Sequence, residues 1–262
     1  MHLTGYSEFP FTYQGKTRIV FRKGTGPAVV VMHEMPGITP QVGAFADRVA
    51  GAGFTVFMPW LFGTPGKPKT TGYLLGEVVK VCISREFYCL AEQRSSPITE
   101  WLKALCRHAH SECGGPGVGA IGMCLTGNFA LALMVDGVVM APVLSQPSLP
   151  FPMTASKKAA IAISPSELEV VKERTAKGCN VLGLRFTEDP ACPPERFATL
   201  RRELGAGFEG IEIDSSPANR WGIKPTAHSV VTADLVDETG HPTREALDRV
   251  LALFKDRLLG CG

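Results

Sequence analysis

The sequence predicts an α/β fold: a three-layer α/β/α sandwich with a mostly parallel sheet of about eight strands. Short runs of apolar, β-branched residues recur along the chain, and most are followed by a longer stretch with helical periodicity. The runs are apolar at successive positions rather than alternating, as strands must be when helices cover both faces of a parallel sheet. With 262 residues, 45% of them hydrophobic, the chain can bury one large core, and it reads as a single domain over 1–262.

Thr17–Phe21 and Ala28–Met32 read as strands, and Lys23-Gly24-Thr25-Gly26 between them is a turn joining antiparallel neighbours. Gln41–Ala50 reads as a helix stopped by Gly51 and Gly53, ahead of a strand over Phe54–Met58. From Trp60 to Ser96 the pattern breaks. This segment starts rich in Gly, Pro and Lys (LFGTPGKPKTTG) and continues as an irregular helical stretch, so it is expected to form a lid-like excursion over the strand ends. Further strands are expected at Val118–Gly122, Gly137–Ala141, Ala159–Ile163, Asn180–Phe186 and Gly210–Asp214. Helices are expected near Ile98–His110, Leu125–Val135, Glu167–Lys177, Pro194–Leu204 and Thr243–Leu259. Ligands of open α/β sheets lie beyond the carboxyl ends of the strands, so the residues after each strand are where chemistry is sought.

The charge balance, 27 Lys plus Arg against 25 Asp plus Glu, excludes a disordered segment and a dedicated polyanion or nucleic-acid binder. Eight cysteines show no C-x-x-C and no zinc-type Cys/His spacing, so neither a structural metal nor a redox pair is indicated, and no cofactor is expected. The N-terminus has neither a basic n-region nor an apolar h-region, and a chain of this size needs no disulfide staples. The cysteines therefore read as reduced thiols of a cytoplasmic protein. The most apolar stretch, Phe129 to Leu144, is broken by Asp136 and Pro142 and is too short to span a membrane.

Two glycine motifs mislead. Gly117-Val118-Gly119-Ala120-Ile121-Gly122 matches G-x-G-x-x-G, but its glycines run into and along a strand, whereas phosphate binding needs them in the turn that follows. Gly63-Thr64-Pro65-Gly66-Lys67-Pro68 is two residues short of a P-loop and has Pro68 where Ser or Thr would hold Mg²⁺, so it reads as a turn.

The informative motif begins where the first decoy ends. A short apolar strand, Val118–Gly122, runs into Met123-Cys124-Leu125-Thr126-Gly127 and then an apolar helical pattern. Strand, nucleophile and helix with small residues on either side make a nucleophile elbow, whose sharp turn lifts one side chain above the sheet. That side chain is Cys124. The N–H of Leu125 then points to where an oxyanion would form, and the following helix N-terminus would favour a thiolate. An elbow nucleophile needs an acid and then a base from later strand ends. Asp189 follows the strand Asn180–Phe186, and His228 follows the loop SSPANRWGIKPTA after the strand ending at Asp214. Cys124, Asp189 and His228 thus stand in the required order at the required edge.

These residues resemble the dienelactone hydrolase family of α/β-hydrolases. The resemblance rests on His33–Ile38 (HEMPGI), Gly53–Pro59 (GFTVFMP), Gly122–Gly127 (GMCLTG), Glu188–Pro193 (EDPACP) and Ala227–Ser229 (AHS), which together span about 28 to 230. It implies a Cys-His-Asp triad at Cys124, His228 and Asp189. It also implies a glutamate, Glu34, that contacts the resting thiol and controls its protonation, and a second oxyanion donor in the N–H of Met35. Two positions depart from the family pattern. Thr126 stands where the family usually has Gly, so either the turn geometry differs or its hydroxyl hydrogen-bonds locally. No arginine follows His228 to hold a substrate carboxylate, which speaks against dienelactone itself; Arg85 and Arg94, in the excursion, are the remaining candidates.

The expected function is hydrolysis of small esters, thioesters or lactones through an acyl-cysteine, with a small-molecule ester or lactone as the expected partner and neither nucleic acid nor membrane. The alternative is a non-catalytic member of the fold that binds a small ligand or senses oxidants through Cys124. A nicotinamide oxidoreductase would rest on the decoy glycines alone.

Overall fold

The computed structural model describes residues 3–82 and 96–260. Its strands are β1 (Ser7–Tyr13), β2 (Lys16–Lys23), β3 (Ala28–Met32), β4 (Thr55–Pro59), β5 (Val118–Met123), β6 (Val139–Ser145), β7 (Val181–Phe186) and β8 (Phe208–Ile213). They form one sheet in the order β1-β2-β4-β3-β5-β6-β7-β8. β1, β2 and β4 pair antiparallel, and every pairing from β4 through β3 to β8 is parallel.

The described helices are α1 (Pro40–Gly51), α2 (Thr71–Cys82), α3 (Pro97–Cys113), α4 (Phe129–Leu133), α5 (Ala155–Ala159), α6 (Pro165–Ala176), α7 (Pro194–Leu204) and α8 (Pro242–Leu258). Successive residues of the buried strands feed opposite cores. Val30 and Met32 of β3 pack with Trp101 of α3, Phe129 of α4 and Phe197 of α7, whereas Val29 and Val31 pack with Phe45 of α1 and Phe254 of α8. This two-sided burial explains why the central strands are apolar at every position. The long helices start on polar caps that satisfy their free N–H groups: Thr39 accepts from Val42 N–H, and Ser96 with Thr99 and Ser164 with Glu167 form capping boxes.

The architecture is the predicted sandwich, with corrections in detail. Ala159–Ile163 is not a strand. It begins in the last turn of α5 and then runs as a connection outside the sheet, where the Ala160 carbonyl accepts from Arg196 Nε at 2.8 Å and Ala162 sits at φ 52°. So short an apolar run carries no period that separates a strand from a buried connection. The eighth strand is instead β1, whose Phe9 and Phe11 pack edge-on against Phe57 and Trp101. β6 begins two residues later than expected and continues to Ser145. The expected helix Leu125–Val135 is broken into a 3₁₀ turn, Cys124–Thr126, and the five-residue α4. The excursion contains α2; its residues 83–95, with Arg85 and Arg94, lie outside the described residues. Gly117 to Gly122 runs into and along β5, so that glycine motif has no phosphate-binding turn. Among the described residues no helix is long and apolar enough to cross a membrane. Cys106, Cys113, Cys124, Cys179 and Cys192 are free thiols.

Candidate active site

β5 delivers Cys124 into the turn at φ 54°, a left-handed conformation that a side-chain-bearing residue adopts only when its surroundings enforce it. The surroundings do so here. The Cys124 carbonyl accepts from Gly127 N–H at 3.0 Å and from Ser148 N–H at 2.9 Å. A Cβ on Gly122 would lie 2.0 Å from the Thr126 carbonyl oxygen, and one on Gly127 would lie 2.5 Å from Pro147 Cα, so both glycines are required by close approach.

Thr126 fits because its hydroxyl replaces backbone partners that the turn lacks. It is fully buried, accepts from Met123 N–H at 2.9 Å and lies 2.9 Å from the Met32 carbonyl oxygen. The elbow is thereby tied to the end of β3. Because the helix after it is only α4, a long helix dipole does not act on the thiol; the local charge partner is His228.

Asp189, 2% exposed, follows β7 and accepts from Ala191 N–H through Oδ1 at 2.9 Å, leaving Oδ2 at 2.7 Å from His228 Nδ1. The ends of β7 and β8 are laced beneath it, Glu188 N–H to Ser215 Oγ and Ser215 N–H to Thr187 Oγ1, each at 3.0 Å. Backbone N–H groups of His228 and Ser229 both donate to Asp234 Oδ2, at 2.9 and 2.8 Å, and hold the loop that carries the imidazole. Burial disfavours the imidazolium, but the charge of Cys124 and hydrogen bonds to Asp189 and Cys124 outweigh it, so His228 titrates well above the ordinary histidine range. The structure therefore brings Cys124, His228 and Asp189 into one chain of contacts.

Glu34 is also buried at this edge, but its partners are hydroxyls and an amide. Ser229 Oγ donates to Oε2 at 2.7 Å, Gln146 Nε2 donates to Oε2 at 3.1 Å and Thr232 donates to Oε1. Its carboxylate thus joins the ends of β3 and β6 to the loop of His228. Neighbouring His33 is fully buried; burial lowers its pKa to about 4, and its ring holds Leu61 N–H at Nε2, 3.1 Å away. Gln146, Ser148, Thr232 and Asp234 escaped sequence reasoning. The available signal was a polar pair, Ser145-Gln146, ending an apolar strand, and an aspartate six residues after the histidine.

A cavity of about 150 Å³ opens on Cys124 and His228 and is walled by Met35, Leu74, Leu125 and Phe151, with Lys69 at its margin. Met35 and Leu125, the two residues expected to supply oxyanion donors, thus line the same cavity as the thiol. A larger cleft lies elsewhere, beside β8 and α8, and holds none of these groups. Among the described residues no cluster of three His, Cys, Asp or Glu side chains could hold a metal ion.

Comparison with known proteins places the fold and the family. Solved structures with the same fold include a Klebsiella pneumoniae protein named for dienelactone hydrolase (17% identity, 96% of this chain and 98% of that one, TM-score 0.64). They also include esterase 2 of Thermogutta terrifontis, phosphoramylated by tabun (12%, 97% and 95%, TM-score 0.60), and a dienelactone hydrolase of Anabaena variabilis (14%, 97% and 99%, TM-score 0.58). No curated protein sequence matches the chain. At such identities the structures establish the α/β-hydrolase fold. The dienelactone hydrolase family model matches residues 16–213, three quarters of the chain, and the protein belongs to that family.

Proposed function

We propose that the protein hydrolyses small carboxylic esters, thioesters or lactones through an acyl-cysteine on Cys124. The observation that carries this reading is the contact chain from Asp189 Oδ2 to His228 Nδ1, 2.7 Å, and on to a cysteine held at positive φ over a small apolar cavity. Asp189 fixes the imidazole with its proton on Nδ1 and leaves Nε2 to take the Cys124 proton. The thiolate attacks the substrate carbonyl carbon, and the carbonyl π pair moves onto oxygen. Leu125 and Met35 N–H groups would stabilise that oxyanion, each donor being worth roughly 3 kcal/mol. Collapse expels the alkoxide or thiolate, which takes the proton from His228. His228 then removes a proton from water, hydroxide adds to the thioester, and Cys124 leaves and recovers its proton.

A panel of p-nitrophenyl esters and lactones tests this with wild type, Cys124→Ala and His228→Ala. Both variants are expected to lose turnover, and mass spectrometry of quenched wild type should find the acyl group on the Cys124 peptide. Unchanged activity in Cys124→Ala would overturn the assignment. An inactive wild type whose Cys124 nevertheless reacts with iodoacetamide would favour a ligand-binding or thiol-sensing protein.

A further inference from the structure

Between β6 and α6 the chain makes a long, mostly irregular crossing of the strand ends, with only the short α5 in it. Long irregular segments within a compact domain are commonly functional. One buried side chain organises this one. Arg196 of α7 is fully buried, and its guanidinium donates to four carbonyls of the crossing: Nε to Ala160 at 2.8 Å, Nη1 to Pro147 at 2.6 Å, and Nη2 to Pro150 at 2.6 Å and to Lys157 at 2.9 Å. Asn128 Nδ2 donates to a fifth, Leu149. A guanidinium buried on carbonyls is costly, since the charge of nearby Asp189 offsets its desolvation only in part, and only a planar fork of donors reaches four acceptors at once.

The pinned carbonyls flank Phe151 on both sides, and Phe151 is the crossing's contribution to the cavity over Cys124 and His228. The same crossing touches the elbow directly, through Ser148 N–H on the Cys124 carbonyl and Pro147 against Gly127. The backbone on either side of Phe151 is therefore tied down beside the elbow, although the ring itself is 38% exposed. A cavity of about 150 Å³ is of the size that holds a benzene ring. A longer acyl chain must displace its wall.

We propose that Phe151 limits the length of the acyl group the site accepts and that Arg196 is the positioning residue that holds this wall in place. The proposal deepens the ester-hydrolase reading and rests on it.

The test compares kcat/KM for p-nitrophenyl acetate, butyrate and octanoate in wild type, Phe151→Ala, Arg196→Met and Arg196→Lys. In Phe151→Ala the octanoate-to-acetate ratio should rise about tenfold or more, mainly through KM, as a few methylenes of new apolar contact allow. Arg196→Met should shift the ratio in the same direction, and lysine should not restore it, whereas a purely structural role would lower all three rates together. A second readout needs no turnover: the labelling rate of Cys124, located by peptide mass, with iodoacetamide and with N-benzylmaleimide. Phe151→Ala should accelerate the bulky reagent selectively, and this arm decides the matter if an Arg196 variant does not fold. Unchanged ester and labelling ratios in Phe151→Ala would overturn the proposal. A wild type that hydrolyses no ester would overturn the hydrolase reading instead, with the labelling ratio still reporting on the wall.

Discussion

The Thr126 hydroxyl lies 2.9 Å from the carbonyl oxygen of Met32, so the turn that carries Cys124 is hydrogen-bonded to the adjacent strand end that leads to Met35. Replacing it with valine keeps the shape but leaves the Met123 N–H and the Met32 carbonyl without that partner in a buried place. Thr126→Val should lose about 2 kcal/mol in urea unfolding, and Thr126→Ser should recover most of it. Equal midpoints for wild type and Thr126→Val would mean that the hydroxyl contributes nothing.

His228 is held above the ordinary histidine range against its burial, first by the charge of Cys124 and then by hydrogen bonds to Asp189 and Cys124. Cys124→Ala removes the charge of Cys124 and its hydrogen bond, and leaves the hydrogen bond and charge of Asp189. The imidazole titration followed by NMR should then move to lower pH, with only Asp189 left to support the charged form. A midpoint that stays in place would show that Cys124 and His228 do not share a proton. With a raised folded-state value, the stability that His228 contributes is full below the ordinary value of 6.5 and is lost as pH rises through the folded one.

His33 acts in the opposite sense. Its folded-state value of about 4 lies below the ordinary 6.5, so the unfolded chain binds the extra proton and stability falls as pH drops from 6.5 to about 4. The loss across that window should be about 3 kcal/mol. Urea midpoints measured over this range should fall less steeply in His33→Gln, which offers a donor and an acceptor but does not titrate. A variant with the wild-type slope would assign the acid sensitivity elsewhere.

Glu34 accepts from Ser229, Thr232 and Gln146, so it braces the loop of His228. Glu34→Ala leaves those buried donors without their acceptor and should cost roughly 1–3 kcal/mol for each one that finds no other. If bracing is its role, Glu34→Gln should lower kcat while the pH dependence of Cys124 alkylation by iodoacetamide stays as in wild type. A displaced alkylation profile would instead place the carboxylate in control of the thiol.

How far the sequence could be read follows from how each part is buried. β3, β4, β5 and β7 lie between two helical layers, so their apolar runs were legible. β1 was not, because it is an edge strand with alternating exposure and Pro10 in its middle, a residue that edge strands tolerate. Cys124, Asp189 and His228 could be expected at one edge of the sheet because a nucleophile elbow constrains both residue type and chain order. Gln146, Thr232 and Arg196 could not: each works by reaching carbonyls or a carboxylate far along the chain, and such reach leaves no local spacing. Thr126 was noticed only as a departure, and its partner Met32 became visible only once β3 and β5 were side by side.

The order of strands in the sheet also separates what can be changed independently. Cys124 and Met35 follow the two adjacent central strands, β5 and β3, while Asp189 follows β7 and His228 follows β8, toward the sheet's margin. In the proposed reaction the electrophile-handling half and the proton-handling half are thus two modules that meet at His228 and Glu34. Insertions between β8 and α8 would retune proton delivery while the seat of the reacting carbonyl stays fixed, which makes that outer segment the natural place to graft new acid–base behaviour onto an unaltered nucleophile.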